Sequence, residues 1–145
     1  LSLAIFSSTD PQAAVTHADD LGVALQLTNI LRDVIEDREM GRVYLPADDA
    51  RSVGCPPDLM ADTDGLARLV AYECPYTAGW FDAGLQLLPL LDRRSRACVA
   101  AMAGIYRRLL DRMAADPEAV TRLRVSVPTW EKGWVAISSL AGLGP

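Results

Sequence analysis

The stretch QLTNILRDVIED, residues 26–37, lies in a run otherwise built for burial, yet it repeats polar groups at Gln26, Asn29, Asp33 and Asp37. On a helix turning about 100° per residue, with Gln26 at zero, Asn29 falls near −60°, Asp33 near −20° and Asp37 near +20°. Gly22 joins them near about −40°. The neighbouring arc, from about +40° to 180°, carries Ile30, Val23, Val34, Leu27, Leu31, Ala24 and Ile35, all apolar. The segment therefore reads as one long buried helix with a narrow polar stripe.

A solvated face is the plain reading of such a stripe. Two features point elsewhere. Like charges are stacked one turn apart, which is mildly destabilising unless a cation sits between them. Gln, Asn and Asp also offer the oxygen donors that hard cations take, and Gly22 leaves room for an approach to the backbone. Carboxylates roughly 6 Å apart along one face suit Mg²⁺, which accepts one or two of them and completes its shell with water and phosphate oxygens. The stripe is thus a candidate clamp for a metal-bound diphosphate, with the metal as Lewis acid for its departure.

Composition narrows the partners. The chain has 145 residues, half of them hydrophobic, with 14 basic and 19 acidic side chains and a net charge of −5. That length supports one domain with a core. The basic residues are scattered with no aromatic interleaving, which argues against nucleic acid. Cys55, Cys74 and Cys98 are far apart and odd in number, and His17 is the single histidine. This pattern predicts reduced thiols in a cytoplasmic protein and gives no support for zinc. No run reaches the ~20 apolar residues of a membrane span. LSLAIF is too short for a signal peptide's apolar region. The chain opens at Leu1 inside an apolar run, which reads as a piece of a longer protein cut within a helix.

The periodicity is helical almost throughout. LSLAIFSS reads as the tail of a helix. Asp10–Pro11 is a helix start, with an N-cap side chain before a proline that needs no donor. From there the pattern predicts helix to about Met40, ended by a left-handed Gly41. RVYLP follows as an extended loop, and ADDARSV as a short helix closed by Gly54. The helix beginning at DTDGLARLVAYEC presents Leu66, Leu69 and Val70 on one face. Pro75 should kink it, and Pro89 begins a break. A further helix starts at Asp92 or Ser95, with Val99, Met102, Ile105, Leu109 and Met113 as its stripe. Asp116–Pro117 marks a turn, and Pro128 opens a last helix before a Gly-Pro tail. The expectation is an all-α domain of about five helices.

LGVALQLTNILRDVIEDREMGRVYLP, residues 21–46, closely resembles the second aspartate-rich signature of the squalene/phytoene synthase family. The combination QLxNxxRDxxED followed by GRxYLP is specific to it. The resemblance continues more weakly through DRRSRACVAAMAGIYRRLLDRM and RVSVP. It implies the isoprenoid synthase type of helical bundle, with residues 1–145 as the C-terminal half of one domain. The family's roles carry over by position. Asp33 and Asp37 match the catalytic carboxylates that hold Mg²⁺, or Mn²⁺ in its place, and Asn29 matches a third metal ligand. Gln26 matches a polar residue of the same pocket. Tyr106 matches a tyrosine that reaches the diphosphate, and Arg124 an arginine that pairs with phosphate oxygens. Arg42 and Tyr44 fall on a loop at the pocket mouth, and Arg32 stands beside the substrate.

Each position has a plainer reading. Arg32 and Glu36 can form an i,i+4 ion pair, and Tyr106 can be a core tyrosine. Arg107, Arg108 and Arg112 read as a solvated face, and DLMAD, residues 58–62, as a surface coincidence. Trp80, Trp130 and Trp134 read as packing residues. The family's first aspartate-rich motif has no counterpart before residue 21, so the N-terminal half of the fold is needed for a complete site.

The activity implied is a Mg²⁺-dependent head-to-head condensation of two prenyl diphosphates. The options are farnesyl diphosphate to presqualene diphosphate or squalene, and geranylgeranyl diphosphate to phytoene. NADPH enters only where the reaction proceeds to squalene. The stretches DRRSRACVAAMAGIYRRLLDR and WEKGWVA incline the reading slightly to the farnesyl, hopanoid-type branch. Lipid products imply peripheral membrane contact by a cytoplasmic enzyme. The alternative is a catalytically inactive helical fragment or interaction domain. A one-substrate cyclase is weaker, because GRVYLP belongs with the head-to-head group.

Overall fold

The computed structural model describes residues 10–56, 63–122 and 125–140. Among these, every regular element is helical and no strand forms. LSLAIFSS, DLMAD, Arg124 and the Gly-Pro tail lie outside the described residues.

Helix α1, Pro11–Arg32, starts where the sequence predicts. The Asp10 carboxylate accepts the amide N–H groups of Gln12 and Ala13, each at 3.1 Å. Such a cap stabilises a helix by about 1 kcal/mol. The run expected to reach Met40 unbroken is interrupted at Asp33, whose φ of −98° and ψ of 11° leave the helical region. Helix α2, Val34–Glu39, follows directly. The 4-residue ladder nevertheless persists: Asp33 N–H donates to the Asn29 carbonyl and Asp37 N–H to that of Asp33, both at 2.9 Å. The interruption is a local distortion and not a turn.

Gly41 ends α2 at φ 71°, as expected. Gly41 N–H donates to the Arg38 carbonyl at 2.9 Å and Arg42 N–H to that of Asp37 at 2.8 Å, the paired bonds of a Schellman cap. Helix α3, Ala47–Ser52, closes in the same way, with Gly54 at φ 70° and Cys55 N–H on the Ala50 carbonyl at 2.8 Å.

Helix α4, Thr63–Gly84, runs as one element through Pro75. Pro75 and Ala71, the residue whose carbonyl loses its donor, are both exposed, so water can satisfy that oxygen. A 3₁₀ helix, Leu85–Leu90, contains Pro89, and the break comes later, at the extended Leu91. Asp92 then caps helix α5, Arg93–Ala115, by accepting the N–H groups of Arg94 and Ser95. The turn expected at Asp116–Pro117 carries a six-residue helix α6, Pro117–Arg122, because Asp116 caps it through Ala119 N–H at 3.1 Å. Helix α7, Thr129–Leu140, follows Pro128. Seven α-helices thus occur among the described residues where about five were expected, the surplus being six-residue pieces.

The chain divides into two compact units. One comprises, of the described residues, 10–25, 78–108 and 127–140. Its core includes Leu21, Ala24, Phe81, Leu87, Leu91, Val99, Ala103 and Val135. Gly84 is required by close approach: a Cβ there would lie 2.6 Å from the Cα and backbone nitrogen of Leu21. Arg107, expected on a solvated face, instead stacks 5.7 Å from the centre of the buried Phe81 ring. It also donates to the Ala78 carbonyl at 3.2 Å and to Asp82 at 2.9 Å. Arg108 ties α5 to α7 through Glu131 at 3.0 Å. Only Arg112 of that trio is exposed.

Two packing expectations fail in this unit. Met102 is 42 % exposed and Ile105 half-buried, because α5 turns Ala100, Ala103 and Gly104 inward instead. Small residues there let neighbouring backbone come close. Trp130 and Trp134 are 74 % and 61 % exposed, since α7 buries its opposite flank at Val135 and Ser139. Trp80 is half-buried.

The second unit comprises 26–56, 63–77, 109–122 and 125–126 of the described residues. Leu31, Val34, Leu45, Leu66, Leu69, Val70, Leu110, Met113 and Val120 are buried here, and α2 packs on α6. The face of α4 predicted from the sequence is the one that goes inside. Arg68 holds α4 against the end of α3, donating to the carbonyls of Val53 at 3.0 Å and Gly54 at 3.5 Å. No helix among the described residues is long and apolar enough to cross a membrane.

Candidate metal and diphosphate site

The polar stripe lies in the second unit. Thr28, Leu31 and Val34 point into that unit's core and turn the stripe away from it. Gln26 is exposed, while Asn29, Asp33 and Asp37 are half-buried on the same side. A Cβ on Gly22 would meet nothing within 4 Å, so the space beside that backbone is open, as read from the sequence.

Asn29 Oδ1 is buried and has no hydrogen-bond partner. Burying an amide oxygen unpaired costs roughly 1–3 kcal/mol, so a native chain seldom leaves one without a purpose. One turn on, Asp33 takes both of its oxygens to Arg32: Nε donates to Oδ1 at 2.7 Å, and a terminal nitrogen to Oδ2. Adjacent residues on a regular helix do not face each other. The non-helical dihedrals of Asp33 allow this pair, and the two observations are one feature. Asp37 comes another turn later, and its backbone carbonyl is the one that Arg42 N–H caps. Arg42 and Tyr44 are exposed on the segment that the Gly41 turn launches, with Tyr44 at 56 %.

The donor set fits a hard divalent cation that keeps part of its water. Two carboxylates and an orphaned amide oxygen, one helical turn apart, match the one or two carboxylates that Mg²⁺ takes. Among the described residues no three acidic, histidine or cysteine side chains converge as a closed cage. Tyr106, half-buried on α5, belongs to the first unit. Gln26, Asn29, Arg32, Asp33, Asp37, Arg42 and Tyr44 all belong to the second.

Sequence reasoning missed a second polar cluster in the same unit. Glu73 is buried on α4 between Val70 and Thr77, with Asp49 of α3 against it. The signal was legible, since Glu73 falls on the wheel beside Val70 and Cys74, a carboxylate on an apolar face.

Among the described residues the fold is all-α, of the isoprenoid synthase type, with the Asn29, Asp33 and Asp37 ladder running into the capped GRVYLP segment. The chain belongs to the squalene/phytoene synthase family, whose signature matches residues 1–131. It is 45% identical to a phytoene synthase of Mycobacterium bovis over 97% of its own length and 48% of that protein's. It is 33% identical to a 15-cis-phytoene synthase of Synechococcus elongatus, over 90% of this chain and 44% of that one. A presqualene diphosphate synthase of Zymomonas mobilis is 36% identical over 80% of this chain and 40% of its own. The chain spans about half the length of the curated relatives it matches. No solved structure gives a significant match.

Proposed function

We propose that the chain supplies the second metal–diphosphate clamp of a head-to-head prenyltransferase, with two molecules of geranylgeranyl diphosphate condensed to phytoene. The observation that carries this reading is the buried, unpartnered Asn29 Oδ1 standing one turn before Asp33 and Asp37. The 45% identical phytoene synthase favours the geranylgeranyl substrate over farnesyl diphosphate. The C-terminal stretches incline the sequence reading to the farnesyl branch, and the substrate comparison below separates the two.

Asn29, Asp33 and Asp37 would hold Mg²⁺, which when bound neutralises the departing diphosphate as a Lewis acid. The residues of the chain do the rest. Arg32 fixes the rotamer of Asp33 by a two-point, charge-assisted pair. Its planar fork also matches phosphate oxygens, so it can share itself between Asp33 and the leaving group. The Gly41 turn sets Arg42 and Tyr44 at the exit of the same helix.

The test is turnover in the intact protein with geranylgeranyl and farnesyl diphosphates offered separately. Asp33→Asn should abolish Mg²⁺-dependent product formation, and phytoene should be the product of the parent enzyme. Near-normal turnover in that variant removes the metal role, and exclusive use of farnesyl diphosphate removes the substrate assignment.

A further inference from the structure

Helices α3 and α4 border an open cleft of about 510 Å³, lined among the described residues by Asp49, Tyr72, Glu73 and Tyr76. That volume is within the range of small-molecule sites, roughly 300–1,000 Å³. All four residues belong to the second unit, and none is in the stripe described above. Tyr72 and Tyr76 stand one turn apart and are 52 % and 58 % exposed, two phenol rings at the mouth. Glu73 at the base is 5 % exposed, and its Oε1 has no hydrogen-bond partner. The Asp49 carboxylate of α3 stands against it. A buried carboxyl that faces a cleft, with an idle acceptor oxygen and a second carboxylate beside it, lacks a donor.

We propose that this cleft binds a small organic cation, an alkylammonium or alkylguanidinium, whose N–H groups pair with Glu73 and Asp49 and whose apolar part lies between Tyr72 and Tyr76. Ammonium and guanidinium heads are the donors a carboxylate pair selects. Phenol faces add attraction for a cation within about 6 Å of the ring. Mg²⁺ also takes one or two carboxylates, and what favours an organic cation here is the pair of phenol rings, which can cover an alkyl group. The chain's net charge of −5 favours the approach of cations over anions. The burial of Glu73 and the neighbouring Asp49 charge raise its pKa from 4.5 to about 7. An arriving cation reverses the second cause and draws the proton off.

The experiment titrates the intact protein with putrescine and, separately, ethylguanidine. Ring resonances of Tyr72 and Tyr76 are followed by NMR at constant ionic strength, with no magnesium or prenyl diphosphate present. Saturable shifts are expected for both probes and none for 1-butanol or sodium chloride. Affinity should fall at least tenfold in Glu73→Gln and in Asp49→Asn. Should either variant fail to fold, Tyr72→Ala and Tyr76→Ala, at exposed positions, carry the test with an expected loss of several-fold. The absence of saturable shifts, equal response to Mg²⁺ alone, or undiminished affinity in the folded variants overturns the proposal. The carboxyl pair would then be a proton-sharing staple between α3 and α4. Because neither metal nor substrate is present, the outcome is independent of the fate of the prenyltransferase reading.

Discussion

The amide of Arg42 donates to the backbone carbonyl of Asp37 at 2.8 Å, so the last carboxylate of the stripe and the first residue of the exit segment are held in fixed register. The bond exists only because Gly41 sits at φ 71° between them. A side chain in that left-handed conformation costs roughly 1–2 kcal/mol. No steric contact adds to this, since a Cβ on Gly41 would meet nothing within 4 Å.

Gly41→Val should therefore lower stability by about 1–2 kcal/mol through backbone strain alone, more than Gly41→Asn, which tolerates that region. Activity of the intact enzyme should fall further than stability, because Arg42 and Tyr44 lose their position relative to Asp37. Urea midpoints and steady-state rates for the two variants check this. Equal rates for Val and Asn would separate the turn from the site.

Asn29 gives a prediction of opposite sign for stability and function. Replacing the orphaned Oδ1 by an apolar group of similar size removes an unpaired buried acceptor, so Asn29→Leu should gain up to about 1 kcal/mol in metal-free buffer. The same change should abolish any stabilisation that Mg²⁺ with inorganic diphosphate gives the parent protein. Thermal melts with and without these ligands read both effects. A destabilised Asn29→Leu that still responds to Mg²⁺ would contradict the assignment twice over.

Gly84 is a packing prediction. A methyl there would meet the α1 backbone at Leu21, which cannot rotate away as a side chain can. Gly84→Ala should destabilise by about 1–3 kcal/mol although alanine favours helix, and Gly79→Ala, with open space around it, should not. Parallel denaturation curves of the two variants decide the point.

Much of this was legible in residues whose cause is local. Asp10–Pro11, Gly41 and Gly54 carry their conformations in their own covalent structure, and the structure places them as read. Asp33 was not legible as a break, because nothing in its backbone chemistry demands one. The distortion accompanies a pairing with Arg32 that helical spacing forbids. The tryptophans of α7 misled for a related reason: size favours burial, but a helix buries the flank its neighbours cover, here Val135 and Ser139. Arg107 erred in the other direction, since a run of arginines reads as surface until Phe81 and Asp82 arrive from a distant helix. The stripe itself was visible in spacing. Its orphaned amide oxygen was not, because only the packed structure shows which acceptors lack donors.

Glu73 provides a pH signature that follows from its burial. Desolvation first, then the charge of Asp49, raise the carboxyl from 4.5 to about 7. Below about pH 4.5 the folded and unfolded chains both hold the proton, and the contribution of this group to stability is fully present. Between 4.5 and 7 the unfolded chain releases the proton while the fold retains it, so stability declines as pH rises through that window. Above about 7 the curve is flat for this group. Glu73→Gln has no proton to lose, so its stability should exceed that of the parent at pH 8 and converge with it near pH 4.5. The buried Cys74 beside it, itself pushed up to about 11 by burial and by the Glu73 and Asp111 charges, stays a thiol across the range and contributes no slope. Urea midpoints measured from pH 4.5 to 8 give the comparison, and parallel profiles for the parent and Glu73→Gln would show that the carboxyl titrates as if it were in water.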